Sequence, residues 1–230
     1  MPDVLARTFR DRGHVHFNVL PWLPELDGIS GELEQLQEQA WSYIIRNRDG
    51  EFEFPATQRH LARVQQRKAV RDRTAGTFAF SFRRIDGALQ NFLVPPVADA
   101  RRLMDGPTLR SLLHTVTGRV PVAIRQFYVS RFDEGDFLST HCDPGQSFGV
   151  VINLTREWDP NHGGLTVLLT EDRSRVRSCL LPVRFQLLVF DTSKRLIPHF
   201  VSTVGAHGPC KRLALVVRYD AAFLDGNDRG

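Results

Sequence analysis

Beyond residue 118 the sequence settles into short apolar runs separated by glycine, proline or charge: VPVAIRQFYVSRF, SFGVVINL, GLTVLLT, VRSCLL, FQLLVF, HFVSTV and RLALVVRY. Each has the length of a strand, and nothing between them is long enough for a helical crossover. The pattern therefore predicts a sandwich or barrel and excludes a βαβ array. Residues 1–118 mix strand-like and helix-like stretches. HVHFNVLPWL (His14–Leu23) alternates briefly and is broken by Pro21 and Pro24, which predicts a strand running into a turn. Ser30 stands where an N-cap is expected. Leu33, Leu36, Ala40, Trp41, Ile44 and Ile45 then fall at helical spacing, predicting a helix through ELEQLQEQAWSYIIRN that covers the outside of a sheet. Residues 46–55 are charged, contain Gly50 and are expected to form a loop; residues 56–73 return to helical composition. TFAFSFRR (77–84) and ALQNFLVP (88–95) flank Asp86-Gly87, a hairpin signal. Asp99 is expected to cap a short helix reaching Met104. After Gly106-Pro107, the residues Leu109, Leu112, Leu113 and Val116 match the helix period.

These elements add up to a mainly β fold with supporting N-terminal helices, a double-stranded β-helix (jelly roll, cupin-like) whose open mouth lets two facing strands present side chains to one point. The 230 residues are expected to form a single catalytic domain, with 119–220 as its core and 1–118 supporting the barrel. The absence of a G-x-G-x-x-G or P-loop pattern argues against a nucleotide fold.

Composition narrows the function classes. Apolar residues make up 42% and aromatics 10%, as in ordinary water-soluble proteins, and no run reads as membrane-spanning or as a convincing signal peptide, so the cytoplasm is the default location. Three cysteines, Cys142, Cys179 and Cys210, are odd in number and lack close metal-ligand spacing, which predicts reduced thiols. A net charge of +4 is modest for a nucleic-acid binder of this length, and no nucleic-acid motif accompanies it. Neither nucleic acid nor membrane is an expected partner, and the oligomeric state stays open. One charge pattern stands out. Arg59, Arg63, Arg67 and Arg71 repeat at i,i+4 on one helix face, where like charges repel. The face is either simply solvated or docks an acidic partner, such as an anionic carrier protein or an acidic peptide, with Leu61, Val64 and the Lys68 stem on the partly covered side.

The chemistry gathers in RFDEGDFLSTHCD (Arg131–Asp143). If 138–143 is a strand, period 2 puts His141 and Asp143 on one face and Cys142 on the other. His199, in PHFVSTV, can supply a third ligand. Two histidines and one carboxylate leave three coordination positions open, the donor set of non-haem Fe(II) oxygenases, whereas thiolates would favour zinc or an iron–sulfur cluster. His14 and His16 have no carboxylate between or just beyond them and read as ordinary edge-strand histidines.

The order His-x-Asp, His, basic residue resembles the iron(II)/2-oxoglutarate-dependent dioxygenases, specifically the prolyl-4-hydroxylase-like and oxygen-sensing prolyl hydroxylase group. The resemblance covers residues 120–219. It is carried by R-F-D-E-G-D-F-L-S-T-H-C-D, by N-L-T-R-E-W-D-P-N-H-G-G-L at 153–165, by H-F-V-S-T-V at His199 and by R-L-A-L-V-V at Arg212. It implies Fe(II) on His141, Asp143 and His199, with 2-oxoglutarate and O2 as co-substrates and ascorbate as an accessory reductant. It further implies hydroxylation of an unactivated C–H bond coupled to decarboxylation to succinate and CO2. Retention of Asp143 favours hydroxylation over halogenation.

In the same resemblance Arg212 takes the distal carboxylate of 2-oxoglutarate. The group's co-substrate tyrosine falls on Asn153, so a second donor is expected from Asn153, Tyr128 or Thr203. If Arg212 points inward, so do Ala214, Val216 and Arg218. Arg218 replaces a substrate-lining tryptophan of the resembled group, which suggests a substrate with its own carboxylate; the competing reading pairs it with Asp220 or an acidic loop. Gln126, Tyr128 and Ser130 share parity as a wall, and Arg131 and Phe132 occupy the approach loop, with Phe132 in place of a tyrosine. The expected substrate is amino-acid-like, free or carrier-bound. The alternatives are a prolyl or other residue of a peptide or protein, and a non-enzymatic jelly-roll binding protein.

Overall fold

A computed structural model describes residues 2–86, 94–193, 197–205 and 211–223. The chain opens with a helix that the apolar pattern did not flag, α1 (Pro2–Arg12), which buries Leu5 and Phe9, residues one turn apart. Gly13, at φ +73°, turns it into β1 (His14–Asn18), the predicted strand. β1 lies at the sheet edge, where His14 Nε2 sits 2.9 Å from Ser178 Oγ.

The next stretch corrects the sequence reading. α2 (Leu26–Glu34) starts ahead of Ser30 and stops well short of Asn47. The expected continuation is instead β2 (Ser42–Asn47), and the expected charged loop is its hairpin partner β3 (Gly50–Pro55). Ile44 and Ile45 face opposite sides of the sheet, Ile44 among Phe80, Phe82 and Phe132, and Ile45 against Ala62 and Ala69. A strand buried on both faces is a continuous apolar run, and periodicity alone cannot separate it from a buried helix segment.

α3 (Arg59–Thr74) follows as expected, but its covered side differs: Ala62, Ala69 and Asp72 are buried, while Leu61 and Val64 are exposed. β4 (Phe80–Asp86) comes next. Most of the hairpin predicted for 86–95 lies outside the described residues, and its last residue already begins α4 (Pro95–Asp105). Asp99 sits inside α4, paired with Arg102, not at its cap. α5 (Pro107–Thr117) ends at Gly118 in the left-handed conformation, φ +69°, which glycine adopts without steric cost.

From there the strands follow the apolar runs: β5 (Arg119–Phe132), β6 (Phe137–His141), β7 (Phe148–Asn153), β8 (Thr166–Leu169), β9 (Val176–Leu180), β10 (Gln186–Asp191), β11 (His199–Val201) and β12 (Arg212–Phe223). All pair antiparallel in one curled sheet of order β1-β10-β7-β12-β5-β4-β6-β11-β8-β9, with β2 and β3 branching from β4. This is the double-stranded β-helix. It draws β1 to β4 into the sheet from the first 86 residues.

β12 shows how the two faces are used. Leu213, Leu215, Val217 and Tyr219 bury themselves with residues of α1, α2, α4 and α5 in the largest apolar core, and the Tyr219 hydroxyl donates to Met104 O at 2.6 Å. The alternate residues Arg212, Ala214, Val216 and Arg218 face the concave side, as period 2 requires. Among the described residues no helix is long and apolar enough to cross a membrane.

A buried ion pair ties the start of β5 to the end of β10: Arg119 donates to both carboxylate oxygens of Asp191 at 2.9 and 3.0 Å. Removing one partner leaves the other charge buried, whereas replacing both by apolar groups of similar volume is often nearly neutral. Arg119→Ala is expected to lower the urea-unfolding free energy by about 3–5 kcal/mol, and the double variant Arg119→Met, Asp191→Leu by much less. Equal losses in both would show that packing, not charge, holds this junction.

Candidate metal centre and anion pocket

His141 ends β6 and lies directly opposite His199 on β11, so antiparallel pairing brings together two imidazoles 58 residues apart in sequence. Their ring centroids are 4.2 Å apart. Asp143 lies just past the end of β6, which stops at His141 short of the strand expected for 138–143, and still reaches the same point. One donor atom from each of the three residues lies within 4.8 Å of the others. His141 Nε2 is 3.5 Å from Asp143 Oδ1, and His199 Nε2 is 3.8 Å from Asp143 Oδ2.

Both rings are oriented in the same way. His141 Nδ1 sits 3.0 Å from Ser139 O and His199 Nδ1 2.9 Å from Ile197 O. Donation from Nδ1 to these carbonyls leaves both Nε2 lone pairs turned toward the carboxylate, the arrangement typical of metal-ligating histidines. Burial holds both imidazoles neutral, that of His141 down to about 4, assisted by His199. Burial opposes ionisation of Asp143, but Arg218 and the two imidazoles outweigh it and hold the carboxyl below its usual range. Two neutral imidazoles and one carboxylate, with no thiolate among them, fit Fe(II) in its three-ligand arrangement.

A narrow cavity of about 60 Å³ connects this cluster to Arg212, walled by Tyr128, Ser130, Phe132, Thr166 and Val216. Arg212 is 3% exposed. Its Nη2 donates to Thr166 Oγ1 at 2.8 Å and its guanidinium lies 4.9 Å from the Phe132 ring centroid. No carboxylate among the described residues pairs with it, its Nε has no partner, and burial lowers its pKa to about 10. The glycine turn positions it. Gly163 and Gly164 both have positive φ, and a Cβ on Gly164 would meet Arg212 Cδ at 3.2 Å. Trp158 Nε1 donates to Gly163 O at 2.9 Å and closes the turn.

Arg218 reaches the cluster from the middle of β12. Its Nη2 donates to Asp143 Oδ1 at 2.5 Å and its Nη1 to Gln126 Oε1. Asp220, the partner offered by the competing reading, pairs with Arg125 instead. Several expected positions thus fall elsewhere. Thr203 is exposed and accepts from Arg73 at 2.6 Å, away from the cavity. Arg131 is buried on the opposite face, bound to Glu38 and Asp133 over the Trp41 ring. An odd-numbered β5 residue cannot share a face with Tyr128 and Phe132. Gln126 serves Arg218, and Phe132 lies under Arg212. Asn153 is buried opposite Ala214 with Oδ1 unpartnered. Cys142 is half-buried and free, and Cys210 lies outside the described residues. Sequence reasoning missed Thr166, whose only signal is opening the strand after the glycine turn.

The sequence matches no protein-family model and no curated protein. Solved structures match it along nearly its whole length. A 2OG-Fe(II) oxygenase family oxidoreductase from Burkholderia pseudomallei superposes with TM-score 0.63 at 19% identity, covering 96% of this chain and 93% of its own. A prolyl-4-hydroxylase from Pseudomonas putida gives 0.52 at 16%, covering 96% and 98%. A Trichoplax adhaerens prolyl hydroxylase, in complex with a hypoxia inducible factor oxygen degradation domain peptide fragment, gives 0.58 at 16%, covering 95% and 88%. They share its fold. At these identities it is the His141, Asp143, His199 geometry that carries the chemistry.

The two depressed histidines make the metal-free protein acid-sensitive. The unfolded chain takes up protons near the ordinary histidine pKa of 6.5, and the folded site does not until lower pH, near 4 for His141. Their contribution is therefore intact above 6.5 and lost as pH falls toward 4, by up to about 1.4 kcal/mol per pH unit for each histidine. Urea midpoints of metal-free protein at about pH 7 and pH 5 should show this fall, and His141→Asn with His199→Asn should reduce it, leaving the share of His14 and His16, which burial also depresses. An unchanged slope in the double variant would place the acid sensitivity elsewhere.

Proposed function

We propose that the protein is an Fe(II)/2-oxoglutarate-dependent dioxygenase that hydroxylates an unactivated C–H bond. The observation that carries this reading is a buried, acid-free Arg212 at one end of a cavity whose other end is a His/Asp/His cluster. A buried guanidinium without a counter-charge is costly, and a dicarboxylate that also chelates the metal would supply one. Bound iron, with 2-oxoglutarate and O2, would supply the oxidant for hydrogen abstraction while succinate and CO2 are released.

The chain's own residues prepare for this. The neutral imidazoles and ionised Asp143 can take a metal near neutral pH without first losing protons. Arg218 holds Asp143 Oδ1 and so fixes the carboxylate plane. Arg212 and Thr166 offer donors to a carboxylate, and the Phe132 ring beneath excludes water. Tyr128 and Ser130 place hydroxyls in the wall between the two ends.

The substrate reading shifts with Arg218. A cation facing a dry mouth calls for a substrate carboxylate only if it has no other partner, and here Asp143 fills that role. Beyond His141 the protein offers an open groove of about 850 Å³, whose walls Leu138, His141 and Val201 are shared with the inner cavity. That opening favours a residue within a peptide or protein over a small free amino acid.

Two variants test the reading. His199→Ala is expected to abolish both iron retention and succinate formation, and normal values of both would remove His199 from the ligand set. Arg212→Ala should keep the metal yet lose about 2–5 kcal/mol of 2-oxoglutarate affinity. The readout is the rise in thermal midpoint of Mn(II)-loaded protein on adding 2-oxoglutarate. If the wild type gives no rise and consumes no 2-oxoglutarate, the alternative of a non-enzymatic jelly-roll binding protein stands.

A further inference from the structure

α3 is 16 residues long and forms one border of the sheet on the side of the open groove. Arg59, Arg63, Arg67 and Arg71 are all exposed along it, and no ion pair is formed by any of them among the described residues. The acid carried by the helix, Asp72, is buried and held by Arg48 at 2.6 Å; Lys68 is matched by Asp49. By contrast Arg83, Arg119, Arg131 and Arg218 each have a carboxylate. Four like charges at i,i+4 destabilise a helix, and among the described residues only the acids of the cleft beside Arg59 and Arg63 stand near the stripe. It spans about 18 Å at 1.5 Å per residue.

The stripe leads somewhere. The last turn of α3 places Arg73 at the wall of the open groove, and the segment that follows brings Phe78 to 5.6 Å from the His141 ring. Phe200 and Arg173 also line the groove. The C-terminal end of the helix that carries the stripe therefore adjoins a mixed cationic and aromatic groove that reaches the His/Asp/His cluster, Arg73 itself standing on the inward side of α3 over Phe137.

We propose that α3 is a docking track for an acidic segment of a protein substrate, whose target residue then enters through the groove at Phe78 and His141. This rests on the dioxygenase reading for the fate of the bound segment, though not for its binding. Charge complementarity selects the occupant. Leu61, Val64 and Val70 are 42%, 43% and 39% exposed on the same helix, which suits a segment that interleaves acidic with apolar side chains. A nucleic acid fits less well. α3 carries no Phe, Tyr or Trp on which a base could stack. A bilayer fits less well too, because the continuous apolar side of α3 already packs into the protein.

The probe is a fluorescein-labelled peptide of about twelve residues alternating Glu or Asp with Leu and Ala, long enough at about 3.3 Å per residue to cover stripe and groove. Fluorescence anisotropy with the wild type should show binding that weakens as NaCl rises from about 50 to 300 mM. The variant Arg59→Gln, Arg63→Gln, Arg67→Gln, Arg71→Gln should bind about tenfold or more weakly, these four side chains being solvent-facing and outside the metal and anion sites. A charge-matched control, Arg7→Gln, Arg10→Gln, Arg101→Gln, Arg102→Gln, removes as many cations from α1 and α4, which pack into a different core, and should stay within about twofold of wild type. His199→Ala should bind the peptide like wild type, so docking is read separately from turnover. Equal losses in the two quadruple variants would reduce the effect to net charge and overturn the proposal. So would tighter binding of a single-stranded oligothymidylate of similar length than of the peptide.

Discussion

The concave face of β12 carries two arginines where little water reaches, and among the described residues only one of them has an acid. Arg218 is neutralised by Asp143; Arg212 is supported by a hydroxyl and an aromatic face but by no counter-charge. Burying a guanidinium costs several kcal/mol unless an anion meets it. The sheet must therefore be held together by other parts of the molecule strongly enough to keep Arg212 in place. The face that does so is the opposite one, where Leu213, Leu215, Val217 and Tyr219 interlock with four helices. Apolar packing on one side of a strand stabilises a receptor for negative charge on the other.

The same division explains how the metal cluster is assembled. β6 and β11 are short, and their pairing sets His141 against His199. Backbone carbonyls two residues back orient each ring, so the donor geometry follows from strand register and needs no further side chains. Asp143 stands outside the strand and depends on a tether, which is Arg218. The start and the middle of β12 thus serve two parts of one cavity, a buried guanidinium with no carboxylate among the described residues at Arg212 and a clamp on the Asp143 carboxylate at Arg218. The glycine turn at 163–164 contributes indirectly, since any side chain there would collide with Thr203 O or with the Arg212 stem.

In the docking proposal, α3 selects what approaches that cavity. Its inner side is built from alanines and a paired aspartate, small enough for close packing over Phe137, and its outer side is left to unpaired arginines. A helix that contributes so little apolar burial and so much self-repulsion is a poor choice for stability alone. Its value lies in the surface that it presents next to the groove.

The order and length of the apolar runs after residue 118 were sufficient to read out β5 and β7 to β12 and a sandwich or barrel, with β6 entering from the His-x-Asp stretch, because period 2 and run length are properties of the local chain. The His-x-Asp pair, His199 and Arg212 were equally legible, since donor type and strand parity depend on spacing. Ile44 and Ile45 were not, because a strand covered on both faces has no alternation to betray it. Only the folded sheet could decide the partners of charged groups. Arg218 meets Asp143 rather than Asp220, Arg131 turns to Glu38, Thr203 faces solvent and Thr166 arrives beside Arg212. These contacts join residues 46 to 130 positions apart, or, for Arg131, turn on which face of a strand looks inward, and no local pattern encodes either until register and curvature bring the strands together.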